Sequence, residues 1–256
     1  MQTTRVVLIA LVLSARASAD VRIVETTVVK AGDRVARGTR STYIKGVRMR
    51  IEVVQADQSA TTVYDLPAGV TLALDAPRRR AESRAIEARA AELEKQYPRA
   101  RTEVKLTPTG ATKELAGASC AEHTVSIRVP LTRDADIALV MTGSTWIAAA
   151  ASGAADYEAF AKAAIERQVV LGPASNNKIL LAVARAQTEL YRAISERHGI
   201  PYSIDITTAV DGHGLLAGMV GKVVSGTQTF TVTSVTDAPV ADSLFSVPEG
   251  WKRRRE

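Results

Sequence analysis

Cysteine and aromatic residues are scarce in this chain. Cys120 is the single cysteine among 256 residues, so no intramolecular disulfide can form and the core alone must hold the fold together. Aromatic side chains make up 4% of the sequence and do not alternate with its basic clusters, which argues against a base-stacking surface. No apolar run reaches the roughly 20 residues that a membrane-spanning helix needs. The sequence therefore predicts neither a nucleic-acid partner nor a transmembrane segment.

The N-terminus has the three parts of a secretory signal peptide. Arg5 is basic, residues 6–13 form a short apolar run, and the small side chains of Ala17 and Ala19 precede Asp20. Signal peptidase cleaves this pattern, so we expect cleavage after Ala19, a mature protein that begins at Asp20, and a periplasmic or secreted location. A lipid-modified protein would carry cysteine at the first mature position, where Asp20 stands. The exported protein is therefore expected to diffuse freely.

Processing leaves residues 20–256, enough for one large domain or two small ones, and we expect a single domain over 20–251. Because Arg5 and Arg16 are removed, 31 basic side chains face 27 acidic ones and the formal net charge falls from +6 to +4. Basic residues cluster at 78–80 and at 252–255. We interpret the first cluster as a solvated turn and residues 252–256 as a basic tail.

Apolar and polar residues alternate along most of the mature chain, which is the pattern of strands with one buried face. The clearest runs are 47–53 and 123–129, and two further short runs are 61–66 and 70–74. We expect one face of these strands to form a concave, ligand-binding surface. Its candidate residues are Val47, Met49, Ile51, Val53, Val125 and Ile127.

Apolar residues recur at helical spacing in three segments, over 83–97, 157–165 and 180–194, and we predict an amphipathic helix in each. Tight turns are predicted at 108–110 and 142–144, and the glycine-rich stretch 212–221 is predicted as a loop or hairpin. The order strands, helix, strands, two helices, strands predicts the α+β class. The expected architecture is a curved, open antiparallel sheet, or half-barrel, with about three covering helices.

Residues with catalytic or metal-binding chemistry are few. Cys120 and His123 have the spacing of a metal-ligand pair, but residues three apart on a strand face opposite sides, so we expect a buried thiol, a core histidine and no metal or cofactor. His213 is a candidate base for a hydrolase, with Asp205 or Asp211 to orient it. Because a lone histidine without a G-x-S-x-G serine is weak support for hydrolysis, we expect that the protein is not an enzyme.

Four motifs occur in an order that resembles an uncharacterised family of exported bacterial proteins. They are Tyr43-Ile44-Lys45-Gly46-x-Arg48-Met49-Arg50, then Thr109-Gly110-x-Thr112-Lys113-x-Leu115-x-Gly117-x-x-Cys120, then Trp146 followed by Asp156-Tyr157-x-x-Phe160, and Phe245-x-Val247-Pro248-x-Gly250-Trp251. The family's closing aromatic is tyrosine, where this chain has Trp251. That family is similar in pattern to the periplasmic lipoprotein carriers of the Lol type, so the resemblance implies an open half-barrel with helices on its concave side.

These expectations favour an exported, non-enzymatic protein that binds a lipid, an acyl chain or another hydrophobic ligand in the concave sheet. A second candidate is a cell-envelope structural or protein-interaction module, which requires an envelope protein as partner and a filled concavity. The third is a hydrolase that uses His213. The volume and lining of the concave side distinguish them, because only the hydrolase requires a polar cleft that contains His213.

Overall fold

The computed structural model describes residues 20–55, 58–172 and 177–255, so the signal peptide predicted over residues 1–19 lies outside the described part of the chain. Within that part, twelve strands form one sheet. In chain order they are β1 Val21–Ala31, β2 Arg34–Lys45, β3 Arg48–Gln55, β4 Gln58–Asp65, β5 Val70–Asp75, β6 Arg80–Ala85, β7 Glu103–Leu115, β8 Ala118–Pro130, β9 Ala138–Ala148, β10 Ile200–Asp211, β11 Gly226–Asp237 and β12 Lys252–Arg255.

The sheet is open and, apart from one strand, antiparallel. Its order is β12-β6-β5-β4-β3-β2-β1-β11-β10-β9-β8-β7, so β12 and β7 are its edges and do not pair with each other. The parallel strand is β12, which pairs with β6 from Lys252 opposite Arg80 to Arg255 opposite Ser83. The residues that the sequence analysis set apart as a basic tail are therefore an edge strand up to Arg255.

Four α-helices are described. They are α1 Ile86–Gln96, α2 Ala154–Glu166, α3 Lys178–Ser195 and α4 Leu215–Val224. The first three confirm the predicted helices, although residues 83–85 complete β6 rather than open α1. Asn177 caps α3, because its side chain accepts a 2.9 Å hydrogen bond from the Ile179 N–H. The α+β class and the open, curved antiparallel sheet are thus confirmed. In the described residues no helix has the length and apolar character to cross a membrane.

Both tight turns predicted inside the second half of the sheet are wrong. Residues 142–144 lie within β9, where Gly143 allows β10 to come close: an added Cβ would stand 1.9 Å from the Asp205 carbonyl oxygen. Residues 108–110 lie within β7, and Pro108 stands at a bulge opposite β8. On an edge strand, the missing N–H of proline removes no essential ladder hydrogen bond. Glycine and proline here mark close approach and a bulge rather than chain reversal.

The prediction of a loop or hairpin over 212–221 is also wrong, because most of that stretch belongs to α4. The buried residues of this helix, Ala217 and Val220, are three apart and share one helix face, and the helix contacts β10 and α3. Leucine, alanine and methionine are strong helix formers. Their propensity and the packing of the two buried residues outweigh the cost of Gly218 and Gly221 in the helix.

Helices α2 and α3 determine which part of the concave face is covered. Ala182, Ala186 and Leu190 of α3 belong to one buried cluster with Leu139 and Met141 of β9. Helix α2 contributes to a second cluster at the opposite end of several strands, which contains Phe160, Val21, Ile44 and Ile200. The middle strands of the sheet face a space between these two packed regions.

Candidate ligand-binding cavity

A cavity of about 500 Å³ lies between the middle of the sheet and helices α2 and α3. Strands β1 to β4 and β9 to β11 form its sheet wall, and α2, α3 and residues 171–172 form its helical wall. The volume falls within the range of about 300 to 1,000 Å³ that is usual for small-molecule sites. The side chains of residues 20–55, 58–172 and 177–255 therefore leave this part of the concave side unfilled.

Most of the sheet wall is apolar. Every second residue of a strand points to the same side of the sheet, and on β3 and β10 the residues that point into the cavity are mainly apolar. Met49, Ile51 and Val53 line it from β3, while Ile204 and Ile206 line it from β10. On the helical side, Leu190 and Ile194 of α3 face the cavity. A chain of methylene groups would exchange water for apolar contact along this wall, which is favourable in proportion to the area covered.

The six residues predicted for the concave surface divide into three groups. Met49, Ile51 and Val53 line the cavity. Val125 and Ile127 are buried in the cluster beneath α3, so they are core residues and not cavity wall. Val47 does not share their face, since it lies in the turn between β2 and β3 with its side chain 38% exposed. The two-residue turn that begins with Gly46 (φ 55°) ends the alternation.

One ion pair, with a buried carboxylate and a partly buried guanidinium, interrupts the apolar sheet wall. Glu25 of β1 and Arg40 of β2 stand directly opposite each other, and the Arg40 guanidinium donates to both carboxylate oxygens, with Nη2 at 2.7 Å from Oε1. Glu25 is only 3% exposed. The Arg40 guanidinium also lies 4.3 Å from the centre of the Phe230 ring, a favourable cation–π distance. The pair adds polarity to the cavity without adding net charge.

The guanidinium stays protonated in this setting. Burial by itself disfavours the charged form of Arg40, but the Coulombic attraction and hydrogen bonds of Glu25 outweigh it, so the pKa of Arg40 lies above its ordinary value. The attraction between the two charges therefore offsets the cost of removing each of them from water in the cavity wall.

Three tyrosines from different elements surround the same space: Tyr64 of β4, Tyr157 of α2 and Tyr191 of α3. Burial raises the pKa of Tyr64 to about 12 and also raises the pKa values of Tyr157 and Tyr191. The rings of Tyr157 and Tyr191 lie 6.0 Å apart at 59°. The Tyr157 hydroxyl is close enough to share a hydrogen bond with the Tyr191 hydroxyl, although within the described residues no group meets the full geometry of one. Since a buried hydroxyl with an imperfect hydrogen bond is costly, this group is suited to donate to a polar group of a ligand.

We expect stability to fall at alkaline pH because these hydroxyls must stay protonated in the folded state. An unfolded tyrosine titrates near pH 10, and folded Tyr64 near 12. The contribution of Tyr64 is therefore complete below pH 10 and decreases above it, by roughly 1.4 kcal/mol per pH unit. Urea unfolding between pH 9 and 12 measures this decrease, and Tyr64→Phe should reduce its slope. Phenolate absorbance from all six tyrosines near pH 10 in still-folded protein would contradict it.

The polar groups of the cavity were missed in the sequence analysis. Glu25 carries a usable signal, because it occupies the same parity of β1 as Ile23, Thr27 and Val29, all of which also line the cavity. A charged residue at an inward position is a pointer to a buried partner. Arg40 could be identified as that partner only from the strand register.

The residues considered for other chemistry lie outside the cavity lining. Cys120 and His123 are buried, as predicted, and burial raises the pKa of the Cys120 thiol, which keeps it protonated. Among the described residues, no cluster of three His, Cys, Asp or Glu side chains could hold a metal ion. His213 is exposed between β10 and α4, and it does not reach the cavity.

No protein-family model matches the chain, and no curated protein matches its sequence. Solved structures that align with it include an uncharacterised conserved protein from Thermus thermophilus, at TM-score 0.43 and 8% identity, covering 94% of this chain and 92% of that one. Another is PNGF-II, at TM-score 0.39 and 9% identity, covering 93% of this chain but 31% of that one. A third is a LolA superfamily protein from Nitrosomonas europaea, at TM-score 0.33 and 5% identity, covering 90% and 91%.

At these TM-scores the likenesses carry no argument about function. The three alignments extend over most of this chain. Those with the Thermus thermophilus and Nitrosomonas europaea proteins also span nearly the whole of the matched protein. The open sheet and its cavity rest on the geometry described above.

Proposed function

We propose that this protein is a non-enzymatic, exported binder of a lipid, an acyl chain or another hydrophobic molecule. The observation that carries the proposal is the unfilled cavity of about 500 Å³ between the sheet and α3, whose apolar wall would stabilise a buried hydrocarbon. Export rests on the signal-peptide pattern of the N-terminus.

The polar groups of the cavity favour a ligand with one uncharged, hydrogen-bonding end. Glu25 and Arg40 neutralise each other, so a ligand need not bring an opposite charge. The Tyr191 hydroxyl, which has no hydrogen bond of full geometry within the described residues, is suited to a carbonyl or other acceptor. An ester, an amide or a protonated acid on an apolar chain meets both conditions.

The two other candidate functions are less well supported. A structural or interaction module requires no cavity, whereas the space between sheet and helices is open. A hydrolase that uses His213 requires a substrate cleft at that residue, and the apolar cavity is lined by other residues. Neither candidate explains why buried polar groups face an unfilled apolar space.

Native mass spectrometry of protein purified from its own periplasm tests the proposal. We expect a population heavier than the mature chain, and organic-solvent extraction should release the bound molecule and leave the mass of the chain alone. Repeated recovery of empty protein that also fails to bind fluorescent acyl probes would count decisively against a ligand-binding function.

Replacing Tyr191 with phenylalanine should weaken binding of a fatty-acid ester by about fivefold, the usual worth of one hydrogen bond. Binding of an unsubstituted alkane should stay the same, because the apolar contact is kept. The ligand-free variant should unfold at nearly the same urea concentration as the wild type, since within the described residues the Tyr191 hydroxyl has no hydrogen bond of full geometry to lose. Calorimetric titration gives the affinities. Tyr202→Phe, a buried tyrosine outside the cavity lining, is the matched control, and an equal loss there would contradict the assignment.

A further inference from the structure

Helix α4 presents an apolar stripe to solvent. Leu215, Met219 and Val223 follow one another at spacings of four, so they lie on one helix face, and their side chains are 82%, 59% and 60% exposed. Leu216 is exposed beside them. The opposite face holds the helix in place through Ala217 and Val220. Contiguous exposed apolar surface of this kind marks an interaction site more often than chance.

Cations border the stripe. Lys222 lies on α4 beside Val223, and the helix contains no Asp or Glu. The hairpin between β1 and β2 adds exposed Lys30 and Arg34, with Asp33 as the opposing carboxylate. This hairpin lies next to the end of α4, because the Gly226 that follows the helix approaches the Lys30 carbonyl so closely that an added Cβ would stand 2.2 Å from it. Apolar side chains flanked by lysine and arginine are typical of segments that rest on anionic lipid.

The same rim of the sheet is one end of the cavity. Val29 and Gln228 stand opposite each other on β1 and β11, line the cavity and are half-buried. Gln228 follows Gly226, the first residue after the α4 connection, by two positions. A surface that covers α4 would therefore also lie against this end of the cavity.

We propose that the exposed face of α4, together with the tip of the β1–β2 hairpin, docks on an anionic lipid surface. A second copy of the chain is a poorer occupant, because a two-fold interface places the same patch against itself and would bring Lys222, Lys30 and Arg34 toward their own counterparts. Anionic headgroups instead compensate these cations while the apolar stripe enters the interface. The docking goes beyond the proposed function and does not require a ligand in the cavity.

Co-sedimentation with vesicles of phosphatidylglycerol and phosphatidylcholine, compared with phosphatidylcholine alone, tests the docking. We expect binding to the anionic vesicles, and Leu215→Glu with Met219→Glu should weaken it by about tenfold or more. Lys30→Gln with Arg34→Gln should weaken it by roughly fivefold for each cation. The matched controls are Val47→Glu, which changes an exposed valine in the turn at the other end of β2 from the hairpin, and Arg253→Gln with Arg254→Gln on edge strand β12.

Several results would overturn the docking: no binding of the wild type to anionic vesicles, an equal loss in the control variants, or full binding by Leu215→Glu with Met219→Glu. Sedimentation velocity adds another, since a wild-type dimer that this variant converts to a monomer would assign α4 to a second copy. Circular dichroism and urea unfolding of the same variants should match the wild type and show that they are folded, and acyl-probe binding should be unchanged. An empty cavity would overturn the proposed function and leave the vesicle result standing.

Discussion

Replacing Glu25 with alanine should lower the free energy of unfolding by about 3 kcal/mol, the lower end of the usual cost of breaking a buried ion pair, because the Arg40 side chain is 24% exposed. The change leaves the Arg40 guanidinium in the cavity wall without the carboxylate that accepts both of its hydrogen bonds. Its remaining compensation is the Phe230 ring at 4.3 Å, which is a weaker contact, and the solvent that reaches the exposed part of its side chain. Urea unfolding followed by circular dichroism at pH 7 measures the loss.

Two further variants separate this effect from the loss of any ion pair. Asp75→Ala removes a surface pair with Arg78 and the hydrogen bond that Asp75 accepts from the Arg78 N–H, so it should lower the free energy of unfolding about a third as much as Glu25→Ala does. Glu25→Leu with Arg40→Met replaces the buried pair with apolar side chains and should recover most of the stability. Equal effects of Glu25→Ala and Asp75→Ala would show that the pair does not occupy a low-dielectric site.

Replacing Ile51 with tryptophan should weaken binding of a fluorescent fatty acid by roughly 70-fold, because the indole would displace about 100 Å² of apolar ligand contact at 25 cal/mol per Å². Ile51 lines the cavity from the middle of β3. The larger side chain enters unfilled space, so the cost of overpacking a filled core should not apply and the unfolding midpoint should stay close to that of the wild type. Fluorescence titration gives the affinity.

The control for this experiment lies three residues along the same strand. Val54 occupies the other parity of β3 and is 48% exposed, so Val54→Trp adds the same indole on the face away from the cavity. Its affinity for the fatty acid should equal that of the wild type. A wild-type affinity in Ile51→Trp, or the same loss in both variants, would place the ligand elsewhere.

The sheet and three of the helices could be predicted because each rests on a local pattern. Alternation identifies β3, and helical spacing identifies α1, α2 and α3. The wrong predictions of turns and loops arose at glycine residues, because glycine occurs both in turns and inside strands or helices. Gly143 gave the signal of a turn, yet its small size serves the close approach of β10. In α4 the glycines suggested a loop, because the burial of Ala217 and Val220 depends on tertiary contacts that no local pattern contains.

The candidate site was predictable to a similar extent. Alternation placed Met49, Ile51 and Val53 on one face, and that face lines the cavity. The same pattern in Val125 and Ile127 could not reveal that α3 covers them, since which half of a sheet a helix covers depends on chain connection and packing. The polar groups of the cavity could not be predicted from a local pattern. The Glu25–Arg40 pair depends on the strand register, and the position of the tyrosines depends on how α2 and α3 pack against the sheet.

The measurement that tests the central claim most directly is photolabelling with a diazirine-bearing fatty acid, followed by mass-spectrometric mapping of the modified residues. We expect labels on the cavity-lining parts of β3 and α3, within 49–55 and 187–194, and their loss when unlabelled fatty acid competes. Labels confined to the exposed face of α4, or labels that competition does not remove, would contradict the claim that the cavity holds the ligand.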